Sequence, residues 1–165
     1  MEQQKINLLI VDDEAQFLSA IGRSLELRDF NVLTASGGDE ALALARAHPV
    51  DIALVDLKMP GMDGRQTLEA LKASHPWMEI IILTGHGTID SAAACTRSGA
   101  HAYLQKPCEF DRLLEVLAEA YKKRVMNKQK ITDRKMEELL KISLSHSPRE
   151  ILTRLRSIDH QREEA

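Results

Sequence analysis

Five polar side chains, Asp12, Asp13, Asp56, Thr84 and Lys106, each lie within two residues of the end of a short apolar run. If those runs are neighbouring strands, three carboxylates, a hydroxyl and an ammonium share one rim. Carboxylates gathered this closely repel one another unless a cation sits among them. A divalent cation with a preference for oxygen ligands suits them, above all Mg²⁺, which takes one or two carboxylates together with phosphate oxygens and waters. An ammonium and a hydroxyl on the same rim are suited to phosphoryl oxygens. The chemistry of such a set is the placing of a phosphoryl group on an aspartate. Taken singly each residue has a plainer explanation: an Asp after a strand caps a helix, Thr84 ends a strand, and Lys106 is a solvated charge. The recurrence of the pattern at the ends of four runs makes coincidence a poor account.

The elements that must carry these residues alternate two periodicities. Residues 6–11, 31–35, 51–55, 79–83 and 101–104 read as strands, four of them apolar throughout or nearly so. Between them, residues with Phe17, Leu18, Ile21 and Leu25 at three-to-four spacing, then 39–47, 65–74 and 89–98, read as helices, with stops at Pro49, Pro76 and Gly99. Continuous apolar strands alternating with helices imply a doubly wound α/β fold, a parallel sheet covered on both faces, because parallel strands need crossover connections. In such a sheet the ligand site lies beyond the carboxyl ends of the strands, where the strand order reverses.

Composition narrows the class. The chain has 165 residues, 44% of them hydrophobic, and a net charge of −3. That length suits a domain of roughly 100 to 150 residues with an extension, and there is no overall basic field for nucleic acid. No apolar run approaches the roughly 18 residues of a membrane span, and the polar start, Met1 to Lys5, is expected not to be a signal peptide. Cys95 and Cys108 fall in no metal-binding spacing; a reducing, cytoplasmic setting is expected. Residues 1–108 carry 9 Lys/Arg and 14 Asp/Glu, whereas 109–165 carry 13 and 11. The shift in sign marks two parts.

The runs Ile10-Val11-Asp12-Asp13-Glu14, Val55-Asp56-Leu57-Lys58-Met59-Pro60-Gly61-Met62-Asp63-Gly64, Leu83-Thr84-Gly85-His86-Gly87-Thr88 and Tyr103-Leu104-Gln105-Lys106-Pro107 resemble the receiver domain of two-component response regulators, over roughly residues 5–124. The fourth-strand run resembles receivers of nitrogen-regulation and nitrogen-fixation regulators more than chemotaxis ones. The resemblance implies a CheY-like, flavodoxin-like sheet of five strands in the order 2-1-3-4-5. It implies that Asp56 accepts the phosphoryl group from a histidine kinase or phosphotransfer protein. Asp12, Asp13, Asp56 and the backbone carbonyl of Lys58 would hold Mg²⁺, Thr84 would bond the phosphoryl group, and Lys106 would pair with it. Thr84 and Tyr103 would form the switch that rearranges the fourth helix, fifth strand and fifth helix, and Lys106-Pro107 would be a cis peptide. Lys58 and His86 would flank the approach of water past Gly85. The chain would then be no enzyme in its own right, beyond taking part in transfer to its own Asp and in slow self-dephosphorylation.

Residues 125–165 are expected to form an α-helical extension. Phe110, Leu113, Leu114, Leu117 and Tyr121 give the fifth helix an apolar face, which Lys122 to Arg124 and Asn127 to Lys130 interrupt. Met136, Leu139, Leu140 and Ile142 mark a further amphipathic stretch, starting at a Thr132 or Asp133 cap. Ser147-Pro148-Arg149-Glu150 reads as a capping box that opens a last helix with Ile151, Leu152, Leu155 and Ile158 on one side. Two short amphipathic helices cannot bury their apolar faces alone, which favours a homodimer or an output protein as the partner of the fifth helix and tail. The alternative is a transcription regulator with a minimal DNA-binding helix pair, carrying Arg149, Arg154, Arg156 and Arg162. Some 40 residues of mixed charge leave little room for a helix-turn-helix, so DNA is the less expected partner, and a membrane is not expected.

Overall fold

In the computed structural model, residues 4–145 are described, with side chains through Lys141. The elements run β1 (Ile6–Val11), α1 (Ala15–Glu26), β2 (Phe30–Ala35), α2 (Gly38–Ala47), β3 (Ile52–Val55), α3 (Gly64–Ser74), β4 (Glu79–Thr84), α4 (Ile89–Arg97), β5 (Ala102–Gln105) and α5 (Phe110–Ser145). All five strands pair in parallel, in the order β2-β1-β3-β4-β5. The sheet is the expected one, and its elements begin and end within one residue of the expected bounds wherever those were drawn.

Two cores account for the continuous apolar strands. Leu9 and Val11, Ala53 and Val55, and Ile80 and Ile82 turn to one face and pack with Ala41, Ala45, Leu68, Leu71 and Cys95 of α2, α3 and α4. Leu8 and Ile10, Ile52 and Leu54, and Ile81 turn to the other, against Leu25 of α1 and Leu113, Val116, Leu117 and Ala120 of α5. Every central residue therefore meets a helix whichever way it points, as the two-residue repeat of a strand requires. Burial in the first core pushes the Cys95 thiol above its ordinary range.

By backbone contacts the chain divides into two compact units after Arg124. The structure corrects the expected break in the fifth helix: α5 continues from Phe110 through Ser145. Between those residues there is neither Gly nor Pro, so the charged stretch interrupts the apolar face without interrupting the backbone. Thr132 does not cap a new helix there. Its hydroxyl donates to the Lys128 carbonyl one turn back, at 3.1 Å, and Asp133 accepts from the Gln129 side chain at 3.2 Å. The expected helix from Ser147 lies outside the described residues.

Candidate phosphoacceptor site

Asp12 and Asp13 follow β1, Asp56 follows β3, Thr84 closes β4, and Lys106 follows β5, so all five come to the carboxyl end of the sheet. β1 lies between β2 and β3. The chain leaves β1 to one side and later returns to the other, which opens a crevice at that end. There Asp12, Asp13 and Asp56 each offer a carboxylate oxygen, all within 4.8 Å of one another. Asp12 and Asp56 are buried and Asp13 is exposed.

Backbone hydrogen bonds fix the two buried acids. The Asp12 amide donates to the Ala35 carbonyl at 3.1 Å and the Asp56 amide to the Val11 carbonyl at 3.0 Å, tying the strand ends together. Asp12 Oδ1 accepts from the Glu14 amide at 2.9 Å, and Asp56 Oδ1 from the Leu57 amide at 2.8 Å. Lys106 Nζ donates to Asp12 Oδ2 at 2.5 Å and lies 3.9 Å from the centre of the Phe17 ring. Its charge is thus held at the acids, on Asp12.

A cavity of about 510 Å³ opens beside Asp13 and Asp56, with Lys58, Asp63 and His86 also in its wall. The loop that carries Asp56 into this wall depends on Gly64. A Cβ there would stand 2.1 Å from the Asp56 carbonyl oxygen, and the Gly64 amide donates to the Leu57 carbonyl at 2.8 Å. The loop after Asp56 can close only around a residue with no side chain. Asp63 completes the turn as the α3 cap, in a reciprocal pair with Gln66.

Thr84 and Tyr103 belong to the neighbouring strands β4 and β5. Thr84 is fully buried, and its Oγ1 accepts from the His86 amide at 3.1 Å. Tyr103 packs at the edge of the core beneath α2, α3 and α4, with its hydroxyl 2.8 Å from Ser91 Oγ of α4. Lys106-Pro107 is cis. Ser36, after β2, binds the Glu40 carboxylate through its amide at 2.9 Å and its hydroxyl at 2.8 Å. Those bonds, the amide first, hold Glu40 below its ordinary 4.5.

Sequence reasoning passed over Phe17, Gly64 and Ser91. Phe17 falls on an apolar helix face, where its sequence neighbours give no sign of a cation partner. Gly64 closed a motif with no stated task, and Ser91 sits in a polar helix start with no local sign of its distant partner.

The donor set fits a hard divalent cation: three carboxylates, no sulfur and no imidazole among the grouped ligands. A family model described as "Response regulator receiver domain" matches residues 8–118. The transcriptional regulatory protein GlrR of Escherichia coli (strain K12) is 36% identical over 120 residues, 73% of this chain and 27% of that protein. A putative NtrX-like response regulator of Rickettsia bellii is 37% identical over 117 residues, 70% of this chain and 24% of that protein. Among solved structures, a CheY-like receiver domain protein of Methanospirillum hungatei superposes with a TM-score of 0.72 at 30% identity, covering 74% of this chain and 98% of that one. NtrX of Brucella abortus superposes with a TM-score of 0.72 at 28% identity, covering 78% of this chain and 30% of that one. The chain spans about a quarter of the length of the curated relatives it matches. Because GlrR is named a transcriptional regulator, the expectation against DNA finds no support in these relatives.

Proposed function

Since the chain belongs to the response regulator receiver family, we propose that it accepts a phosphoryl group on Asp56 from a histidine kinase or phosphotransfer protein. A phosphohistidine nitrogen–phosphorus bond breaks as an Asp56 oxygen–phosphorus bond forms. The observation that carries this reading is the grouping of Asp12, Asp13 and Asp56 on a cavity wide enough to admit a donor side chain. Asp12, Asp13, Asp56 and the Lys58 carbonyl would hold Mg²⁺. When bound, that ion supplies positive charge against which phosphoryl oxygens and carboxylates can approach one another.

The residues of the chain do the rest by position, since transfer to a carboxylate depends mainly on alignment and electrostatics. The Leu57 amide holds Asp56 Oδ1 and so fixes the plane of the acceptor. Lys106, already inside the crevice, can exchange its contact with Asp12 for a phosphoryl oxygen without crossing solvent. The Thr84 hydroxyl accepts from the His86 amide, and among the described residues its proton has no acceptor, so it is available to a phosphoryl oxygen. Lys58 and His86, both exposed on the cavity wall, meet water before it reaches the acyl phosphate and set how long it lasts. The new group adds about two negative charges, which shifts the arrangement of α4, β5 and α5 through Thr84 and Tyr103. Residues 1–124 are the phosphoacceptor unit, and 125–165 serve dimerisation or partner docking.

Incubation with ³²P-acetyl phosphate and Mg²⁺ tests the assignment. The wild type should be labelled and Asp56→Asn should stay blank; equal labelling would move the acceptor elsewhere. Control of transcription is a second reading, favoured by the name of GlrR. A discrete, salt-sensitive mobility shift on duplex DNA, lost with Arg154→Ala and Arg156→Ala, would establish a direct form of it.

A further inference from the structure

We propose that Ser91 is a positioning residue of the switch, its hydroxyl holding Tyr103 to the first turn of α4, in a space that Gly87 alone leaves open. The proposal rests on the phosphoacceptor reading above and gives it a route to α4.

Ser91 Oγ has three hydrogen-bond contacts and one proton to give. Ser91 Oγ accepts from the Thr88 amide at 2.9 Å and donates to the Thr88 carbonyl at 2.9 Å. A hydroxyl has one proton and two lone pairs. The Tyr103 hydroxyl lies 2.8 Å from Ser91 Oγ: it donates when the Ser91 proton is on Thr88 and accepts when that proton turns to it, the Thr88 carbonyl having the Ala92 amide as a second donor. The capacity of Ser91 is then full. Two of its three bonds belong to the reciprocal cap of α4, in which the Ser91 amide also donates to Thr88 Oγ1 at 3.0 Å. The third bond belongs to Tyr103. Any movement that takes the tyrosine hydroxyl away leaves a half-buried cap residue one hydrogen bond short.

Gly87 supplies the room. A Cβ on it would stand 2.3 Å from the Tyr103 hydroxyl oxygen and 3.0 Å from the nearest ring carbons, so any side chain there would expel the ring. Gly87 also belongs to the loop that starts at Thr84, whose Oγ1 accepts from the His86 amide. A displacement of Thr84 toward Asp56 therefore pulls on His86, shifts Gly87 against the Tyr103 ring, and loads the bond to Ser91. Thr84 and Tyr103 can act together because they share a face of the sheet: Thr84 alternates with Ile82 and Ile80, and Tyr103 packs against that same core.

The test is amide and tyrosine-ring NMR of the full chain, titrated with beryllofluoride and Mg²⁺ as the phosphoryl mimic. In the wild type the Leu57 and Thr84 amides should move together with those of Thr88 and Ser91. Tyr103→Phe keeps the α4 cap and removes only the tyrosine hydroxyl. It should change the half-response at Thr88 and Ser91 about fivefold, the equilibrium equivalent of one neutral hydrogen bond. Ser91→Ala, which loses the cap bonds as well, should change it at least as much, the double variant should add nothing beyond Ser91→Ala, and Ser91→Thr should restore the wild-type response. Gly87→Ala should abolish the tyrosine-ring shift. Wild-type half-responses in Tyr103→Phe, or additive effects in the double variant, would overturn the proposal. If the wild-type Leu57 and Thr84 amides move and those of Thr88 and Ser91 do not, Ser91 has no part in the switch. If nothing moves, the phosphoacceptor reading fails first.

Discussion

The two ends of the sheet both bury carboxylates, and they balance them in opposite ways. At the carboxyl end Asp12, Asp13 and Asp56 gather beside an open cavity, and the one ammonium paired there, that of Lys106, is on Asp12. At the amino end Asp51 and Glu79 face cations of the chain itself. Arg124 Nε lies 2.7 Å from Asp51 Oδ1, and its guanidinium also donates to the Trp77 carbonyl at 2.7 Å. Asp51 Oδ2 accepts from the Asn7 amide at 2.9 Å. Glu79 Oε2, buried and without a hydrogen bond, stands 3.5 Å from Lys123 and 3.8 Å from His101. Both cations of α5 are the last residues of the first unit. Where the counter-charge belongs to the chain, a buried carboxylate holds a helix in place; where it must arrive from solution, the same group is free to receive something.

The largest effect that would break this contrast is steric. Gly64→Ala sets a methyl against the Asp56 carbonyl and should cost about 3 kcal/mol in urea denaturation. A loss under about 1 kcal/mol would show that the loop yields, and that the carboxyl end is not built to tolerance. At the amino end, Asp51→Ala removes two charge-assisted bonds on a partly exposed side chain. It should cost about 2 kcal/mol and leave labelling of Asp56 unchanged; lost labelling would join the two ends into one device.

Mg²⁺ at about ten times its dissociation constant should stabilise the wild type by about 1.4 kcal/mol through linkage. Asp13→Asn should lose that increment while remaining at least as stable without metal, since it removes a repulsion. A metal increment that survives would place the cation elsewhere. The smallest effect is at Glu40, a carboxylate of the carboxyl end satisfied by Ser36. Its folded value lies below 4.5, so its contribution is present above that value and is lost as pH falls through the folded one. Glu40→Gln should lower the urea midpoint slightly at neutral pH, and the difference should shrink as the pH falls below 4.5. A constant difference across the range would mean that the bond, not the charge, matters.

Periodicity made much of this fold legible. Leu8 to Val11, Ile52 to Val55 and Ile80 to Leu83 read as strands covered on both sides, and the polar residue that follows each must then stand at the sheet's edge. Asp12, Asp56 and Thr84 are found from that alone. Pairs such as Asp51 with Arg124, 73 residues apart, or Ser91 with Tyr103 leave no periodic trace, because one contact repeats nothing. The charged stretch in α5 misled for the opposite reason. Lys122 to Lys130 break an apolar face, and a face reports what covers a helix rather than whether its backbone continues.

β4 runs from Glu79, buried at one end of the sheet, to Thr84, buried at the other. Its six residues act as a measuring rod of about 17 Å with both ends fixed. Deleting one residue would shorten the rod and also turn the terminal hydroxyl to the opposite side, away from Tyr103. Loops in this chain can lengthen or shorten through insertion and deletion, but β4 has one permissible length, and point substitution is the only variation it allows.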